Sequence, residues 1–327
     1  MPEYRASGAV GKQDSGSVEI KPFPFALGAE VVCGDIRRLS DAQAAVVYKA
    51  WLDHLVLLFR GQTLTDDELS AFTHRFGKLK DPLPDHQRAA GVKPLENPAI
   101  SVISNVMENG MALGSLGDGE ALWHTDFNFD ERPYAAALLY GLEVPPAGGN
   151  TSWSNMYAAY DMLPVPLRER IDGATIKHDA SYNAAGILRR GYAPVADVRV
   201  SLGPSHPIVR THPETGYNCL YLGRRLHAYV NGLSVEESEA LLDALWTYAE
   251  SRQFQWEHQW RVGDLIVWDN RCTMHHRQPF DPGSRRIMHK TQTVGDRPFH
   301  SPSADLLPAH PRAAPPPGIL TAKPACA

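Results

Sequence analysis

Trp123-His124-Thr125-Asp126 and, far downstream, Trp268-Asp269-Asn270-Arg271-Cys272-Thr273-Met274-His275 are the two stretches on which the reading of this chain turns. Two imidazoles and one carboxylate form the facial set that holds non-haem Fe(II) with positions left open for substrate and oxygen. The spacing carries physical sense. Alternate side chains of an extended segment point the same way, so His124 and Asp126 reach one ion while Thr125 faces elsewhere. The third ligand must then arrive from another strand. An H-x-D pair alone is weak, and the chain contains a decoy, His212-Pro213-Glu214, which sits in turn-forming sequence and is read as a hairpin.

Company downstream lifts the first pair above the decoy. Arg285-Arg286-Ile287-Met288-His289-Lys290-Thr291-Gln292-Thr293 alternates as a strand, with Arg286, Met288 and Lys290 on one face. A buried Arg needs an anion, and its planar fork suits a carboxylate. Arg286 is therefore explained by a dicarboxylate cosubstrate such as 2-oxoglutarate.

These blocks, with Gly148-Gly149-Asn150-Thr151 between them, resemble the taurine dioxygenase (TauD/TfdA) family in order and spacing. The resemblance implies a mainly β fold with flanking helices around a double-stranded β-helix, the cupin-like jelly roll. It implies a dioxygenase dependent on Fe(II), 2-oxoglutarate and O2 that hydroxylates, and can thereby cleave, a small organic anion with release of succinate and CO2. His124, Asp126 and His275 become the catalytic iron ligands, the family's Thr-x-His pattern choosing His275 over His276. Thr151 and Arg286 become the partners of the distal 2-oxoglutarate carboxylate. One departure matters: the taurine-cleaving member has an Arg where this chain has Lys290. An ammonium cannot give a two-pronged grip, so a sulfonate fits less well than another anion. Lys290, with Phe127 and Phe129 forming an apolar wall, is the expected substrate contact. Two rival readings are a Zn hydrolase on the same ligands and a non-catalytic jelly-roll binder, and neither needs Arg286 and Thr151.

The 327 residues, 43% hydrophobic and 21% charged, suffice for one large domain, expected over 18–299. Segments 1–17 and 300–327 read as flexible tails. The insertions near 82–97 and 179–206 have the Gly, Pro and polar composition of lids. A net charge of −5 without a basic run disfavours nucleic acid. No membrane-length apolar run or signal segment is visible, and the four scattered cysteines suit a reducing compartment, so the cytoplasm is expected. The family resemblance also implies a homodimer or homotetramer. Ser40 to Asp53, Thr65 to Phe76 and Ser234 to Arg252 read as helices. Val18 to Phe25, Leu55 to Phe59, Ile100 to Val106 and Tyr134 to Val144 read as strands. Gln255 to Trp260 and Leu265 to Trp268 are expected to form a hairpin through Val262-Gly263-Asp264.

Overall fold

The computed structural model describes residues 17–80, 96–302 and 307–311. Two sheets carry the site. The larger has eight strands in the order Glu19–Pro22, Ala29–Val32, Val56–Phe59, Leu265–Asp269, Ala136–Glu143, Ile287–Gln292, Ser101–Ser104, Ser115–Leu116. The smaller has four: Gln255–His258, Thr151–Asn155, Thr273–Arg277 and Ala121–His124.

The central strand Leu265–Asp269 is buried throughout, and its alternation explains why. Ile266 and Trp268 join one apolar cluster with Trp153, Trp256, Met274 and Met288 from the neighbouring strands of both sheets. Leu265 and Val267 point the other way, into a second cluster with Val47, Trp51, Leu69 and Phe72 of the helices that cover the outer face. A strand that must satisfy two cores has no polar face, and so reads as a continuous apolar run. Val56–Phe59 divides likewise, Leu58 inward and Leu57 with Phe59 outward.

The covering helices are Asp41–His54 and Asp66–Thr73, the second continued by a short 3-10 turn through Phe76; a third long helix, Val235–Ala249, packs elsewhere on the body. Each begins with a reciprocal cap: Ser40 with Gln43, Thr65 with Glu68, Ser234 with Glu237. The side chain at the cap accepts from an otherwise orphaned backbone N–H, and the residue three positions on returns the bond.

One sequence expectation fails. Gln255–His258 and Leu265–Asp269 are not a hairpin, because the first pairs with Thr151–Asn155 in the small sheet and the second with Val56–Phe59 and Ala136–Glu143 in the large one. The intervening corner carries the chain between sheets. His258 Nε2 and Arg60 Nη1 both meet the Asp264 carboxylate, at 2.9 and 2.7 Å. Gly263, at φ +84°, lies so close to Gln62 that a Cβ would stand 2.9 Å from its carbonyl oxygen. A local turn signal cannot distinguish a hairpin from such a crossing.

In the segment 300–327, expected to be a tail, the described residues make contacts with the body. Ser301 N donates to the Thr211 hydroxyl, and the buried His310 ring stacks on Tyr157 at 4.3 Å. The rest of that segment, Cys326 and the Pro315 to Pro317 run included, lies outside the described residues, as do residues 1–16 and most of the 82–97 insertion. Segment 179–206 is described and is tied down at several points. Leu122 N donates to Ala184 O, Ala180 N to Leu202 O, and Arg224 reaches Asp179 O and Tyr182 O. Among the described residues, no helix is long and apolar enough to cross a membrane.

Candidate metal centre and its anion pocket

Strand pairing sets the two histidines side by side. His275 is opposite His124 in the register of Thr273–Arg277 against Ala121–His124, and their ring centroids lie 4.1 Å apart. Asp126 completes the group. Its Oδ1 stands 3.6 Å from His124 Nε2 and its Oδ2 3.9 Å from His275 Nε2, and all three side chains are buried. One ligand atom from each lies within 4.8 Å of the others, as a single ion requires. The extended geometry expected for His-x-Asp holds only in part. His124 ends its strand, whereas Asp126 opens a turn in which Phe127 takes a left-handed φ of +55°.

That turn is held by a residue the sequence did not single out. Asn270 is fully buried; its Oδ1 accepts from Asp126 N at 2.8 Å, and its Nδ2 donates to Asp126 O and Tyr134 O at 2.9 and 3.1 Å. Thr125 N donates to Gly223 O. On the far side, Asn128 meets His178 at 3.0 Å and His206 meets Asp130 O at 3.0 Å. Asn270 lies inside the quoted Trp268 to His275 stretch, so its place beside a ligand was the only signal available.

Protonation favours ligation. His124 Nδ1 lies 2.6 Å from Leu122 O, and a carbonyl can only accept, so the ring proton sits there and Nε2 offers a lone pair. Burial, then the neighbouring His124, holds the His275 imidazole well below its usual range and therefore neutral. Burial pushes the Asp126 carboxyl upward, but the Lys290 ammonium beside it outweighs burial and keeps the carboxylate ionised.

Lys290 is placed differently from expectation. Its Nζ lies 2.5 Å from Asp126 Oδ2 and 5.3 Å from the Trp268 ring centroid. It is largely buried and meets the Asp126 carboxylate, with two ammonium N–H groups beyond that bond. His276 and His289 face outward, as the alternation predicts, bonding Glu120 and Asp66 at 2.6 Å each.

Arg286 is the clearest ligand signal. It is 1% exposed, and its Nε and Nη1 have no hydrogen-bond partner. Burial, with the charge of Arg277 added, pushes it down to about 9. Gly149, two residues before Thr151 and at φ +65°, approaches so closely that a Cβ would stand 3.5 Å from Arg286 Nε. Thr151 is buried, pairs in register with Arg277, and its hydroxyl accepts from Trp260 Nε1 at 2.9 Å, which leaves its own proton to donate. An unpartnered buried cation beside Gly149 and a hydroxyl donor two residues further on are the groups that a carboxylate would satisfy.

Phe127, Phe129 and Tyr134 form a stack beside the ligand turn, with ring centroids 4.7 Å apart for Phe127–Phe129 and 4.3 Å for Phe127–Tyr134. His212, Asp269 and Cys272 also cluster. There the Asp269 carboxylate already accepts from Arg271 and His212, and burial raises the Cys272 thiol far above its usual range. This is an internal ion-pair network, and His212 lies in the turn between Val209–Thr211 and Asn218–Leu220 that its sequence implied.

Four buried imidazoles away from the ligand set, His178, His206, His212 and His258, are held below their usual range chiefly by burial. Unfolded, each titrates near 6.5 or so. Below that pH the unfolded chain gains protons that the folded one refuses, so stability falls with falling pH. The lowered Asp126 and Asp269 contribute their losses only at more acidic pH. Denaturant midpoints of the metal-free protein should therefore drop steadily from pH 7.5 to pH 5, and a flat profile would show that these rings are charged or exposed.

Comparison with known proteins identifies the family. The chain is 33% identical over 282 residues, covering 83% of itself and 95% of the relative, to the alpha-ketoglutarate-dependent 2,4-dichlorophenoxyacetate dioxygenase of Cupriavidus pinatubonensis. It is 32% identical, over 86% of itself and 97% of the relative, to pentalenolactone F synthase of Streptomyces arenae. A crystal structure of AAD-2 in complex with Mn(II) and N-oxalylglycine superposes with a TM-score of 0.70 at 28% identity, covering 87% of this chain and all of that one. Residues 19–292 match the family model described as taurine catabolism dioxygenase TauD, TfdA family, and the chain therefore belongs to that family.

Proposed function

We propose that His124, Asp126 and His275 hold Fe(II), that Arg286 and Thr151 bind the distal carboxylate of 2-oxoglutarate, and that this enzyme hydroxylates a small organic anion in the cytoplasm. The chain is a 2-oxoglutarate-dependent dioxygenase by its family and relatives; the metal's identity, the residue roles and the substrate are the proposal. The observation that carries it is Arg286, a buried cation with two N–H-bearing nitrogens unpartnered, just before the strand whose Lys290 touches Asp126. Neither a hydrolase nor a binder accounts for it.

When bound, Fe(II) and 2-oxoglutarate supply oxidative decarboxylation to succinate and CO2, which activates O2 for attack on a carbon–hydrogen bond. The chain's own contribution is placement. His124 and His275 present Nε2 to the ion, ionised Asp126 balances charge, and Arg286 fixes the cosubstrate's far end. Trp268, Trp153 and Met288 exclude water beneath the site. The aromatic stack beside the turn supports an organic anion with an apolar body.

Anaerobic addition of Fe(II) and 2-oxoglutarate should produce the visible charge-transfer band of the chelate. Admission of O2 with aryloxyalkanoates, alkyl sulfates and sulfonates should then give substrate-stimulated succinate. No band, with zinc retained instead, would favour the hydrolase.

A further inference from the structure

We propose that Arg189, on the 179–206 segment, recognises the carboxylate of an aryl-bearing organic acid substrate, the part that Lys290 would have been expected to play. This deepens the reading above and rests on it. The Lys290 ammonium already meets the Asp126 carboxylate, which offsets its charge, so a second cation beside the aromatic stack bears on whether the substrate is an anion. Arg189 is the candidate the fold supplies. Its guanidinium lies over the Phe129 ring, 3.9 Å from Cζ to centroid, and Phe129 stacks on Phe127, the residue directly after Asp126.

The chain anchors Arg189 from behind. Its backbone N donates to Ser181 O and its Nε to Tyr182 O at 3.2 Å, while Arg224 reaches the same Tyr182 oxygen and the Asp179 carboxylate. Among the described residues the two terminal nitrogens of Arg189 have no hydrogen-bond partner and no ion pair. A half-buried Arg without a carboxylate is costly to keep, and its planar edge is shaped for two parallel bonds to one. The aromatic face beneath fixes the plane of the fork and leaves that edge free.

Tyr134 supports the direction in which the edge works. Its phenol has no hydrogen-bond partner among the described residues, and it feels the charges of both Asp126 and Arg189. Its ring stacks on Phe127, the residue after Asp126, and so extends the aromatic surface that Phe129 begins beneath Arg189. A substrate held with its carboxylate on Arg189 and its ring against Phe127 and Tyr134 would be oriented by both ends. A role confined to pinning the segment onto Phe129 would leave affinity indifferent to ligand charge, and this separates the two readings.

The test is calorimetric titration of the full-length protein, loaded with Mn(II) and N-oxalylglycine, with 2,4-dichlorophenoxyacetate and with its uncharged primary amide. Wild type should bind the acid at least about tenfold more tightly than the amide, as loss of a charge-assisted hydrogen bond implies. Arg189→Gln should abolish that preference and Arg189→Lys should retain part of it, with unchanged melting temperatures showing that both variants fold. An acid preference that survives in Arg189→Gln, or wild type that binds both probes equally or neither, overturns the proposal. A wild type that forms the Fe(II)–2-oxoglutarate band yet fails this titration loses only the Arg189 assignment; one that forms no band loses the oxygenase reading itself.

Discussion

Arg286→Leu is expected to weaken 2-oxoglutarate binding by about 100-fold or more while leaving Fe(II) bound and the fold at least as stable as wild type. The first half follows from charge-assisted hydrogen bonds, each contributing roughly 1.5–3 kcal/mol, when two are lost at about 1.4 kcal/mol per decade of affinity. The second half is less intuitive. Without its ligand, Arg286 is a buried cation whose Nε and Nη1 have no partner, with Arg277 adding like-charge repulsion. An unpaired buried charge costs several kcal/mol, roughly, and a leucine removes that cost at some loss of packing volume. Titration of the anaerobic chelate band measures the affinity. Thermal melts measure the rest: 2-oxoglutarate should raise the melting temperature of wild type and hardly move that of the variant. Unchanged affinity in Arg286→Leu would place the distal carboxylate elsewhere.

His275→Ala should lose the metal outright, whereas His276→Ala should keep it. The two residues are adjacent, but the strand sends their rings to opposite sides: His275 stands beside His124 and Asp126, and His276 stacks on Trp123 and bonds Glu120. With one of three ligands gone, a site with open positions retains too few donors to compete with water. Iron per protein after desalting should fall to background for His275→Ala and stay near wild type for His276→Ala. Comparable loss in both would mean that the strand register is wrong.

Much of this was legible because it depended on local periodicity. Alternation predicted an inward face for Met288 and Lys290 and an outward one for His276 and His289, cap chemistry predicted the helix starts at Ser40 and Ser234, and an acidic first turn predicted the one at Thr65. What was missed depended on distant contacts. The Gln255–His258 and Leu265–Asp269 segments look like a hairpin because turn residues separate them, yet which sheet each joins is settled by partners more than a hundred residues away. Asn270 carries no motif that would mark it as a clasp on Asp126. Lys290 was read as inward-facing, and its contact with Asp126 was not foreseen, since nothing in a strand pattern says how near an ammonium will come to one carboxylate. Arg189 lay within a segment read only for its loop composition.

The Asn270 clasp bears on how the protein acquires its metal. Because both backbone groups of Asp126 are satisfied by a buried side chain, the ligand turn is a finished receptor before any ion arrives. Small domains that fold only around zinc spend much of their binding energy on ordering the chain. With the turn clasped by Asn270, stripping the metal with a chelator should leave a folded protein that reloads at a rate set by ion exchange rather than by refolding.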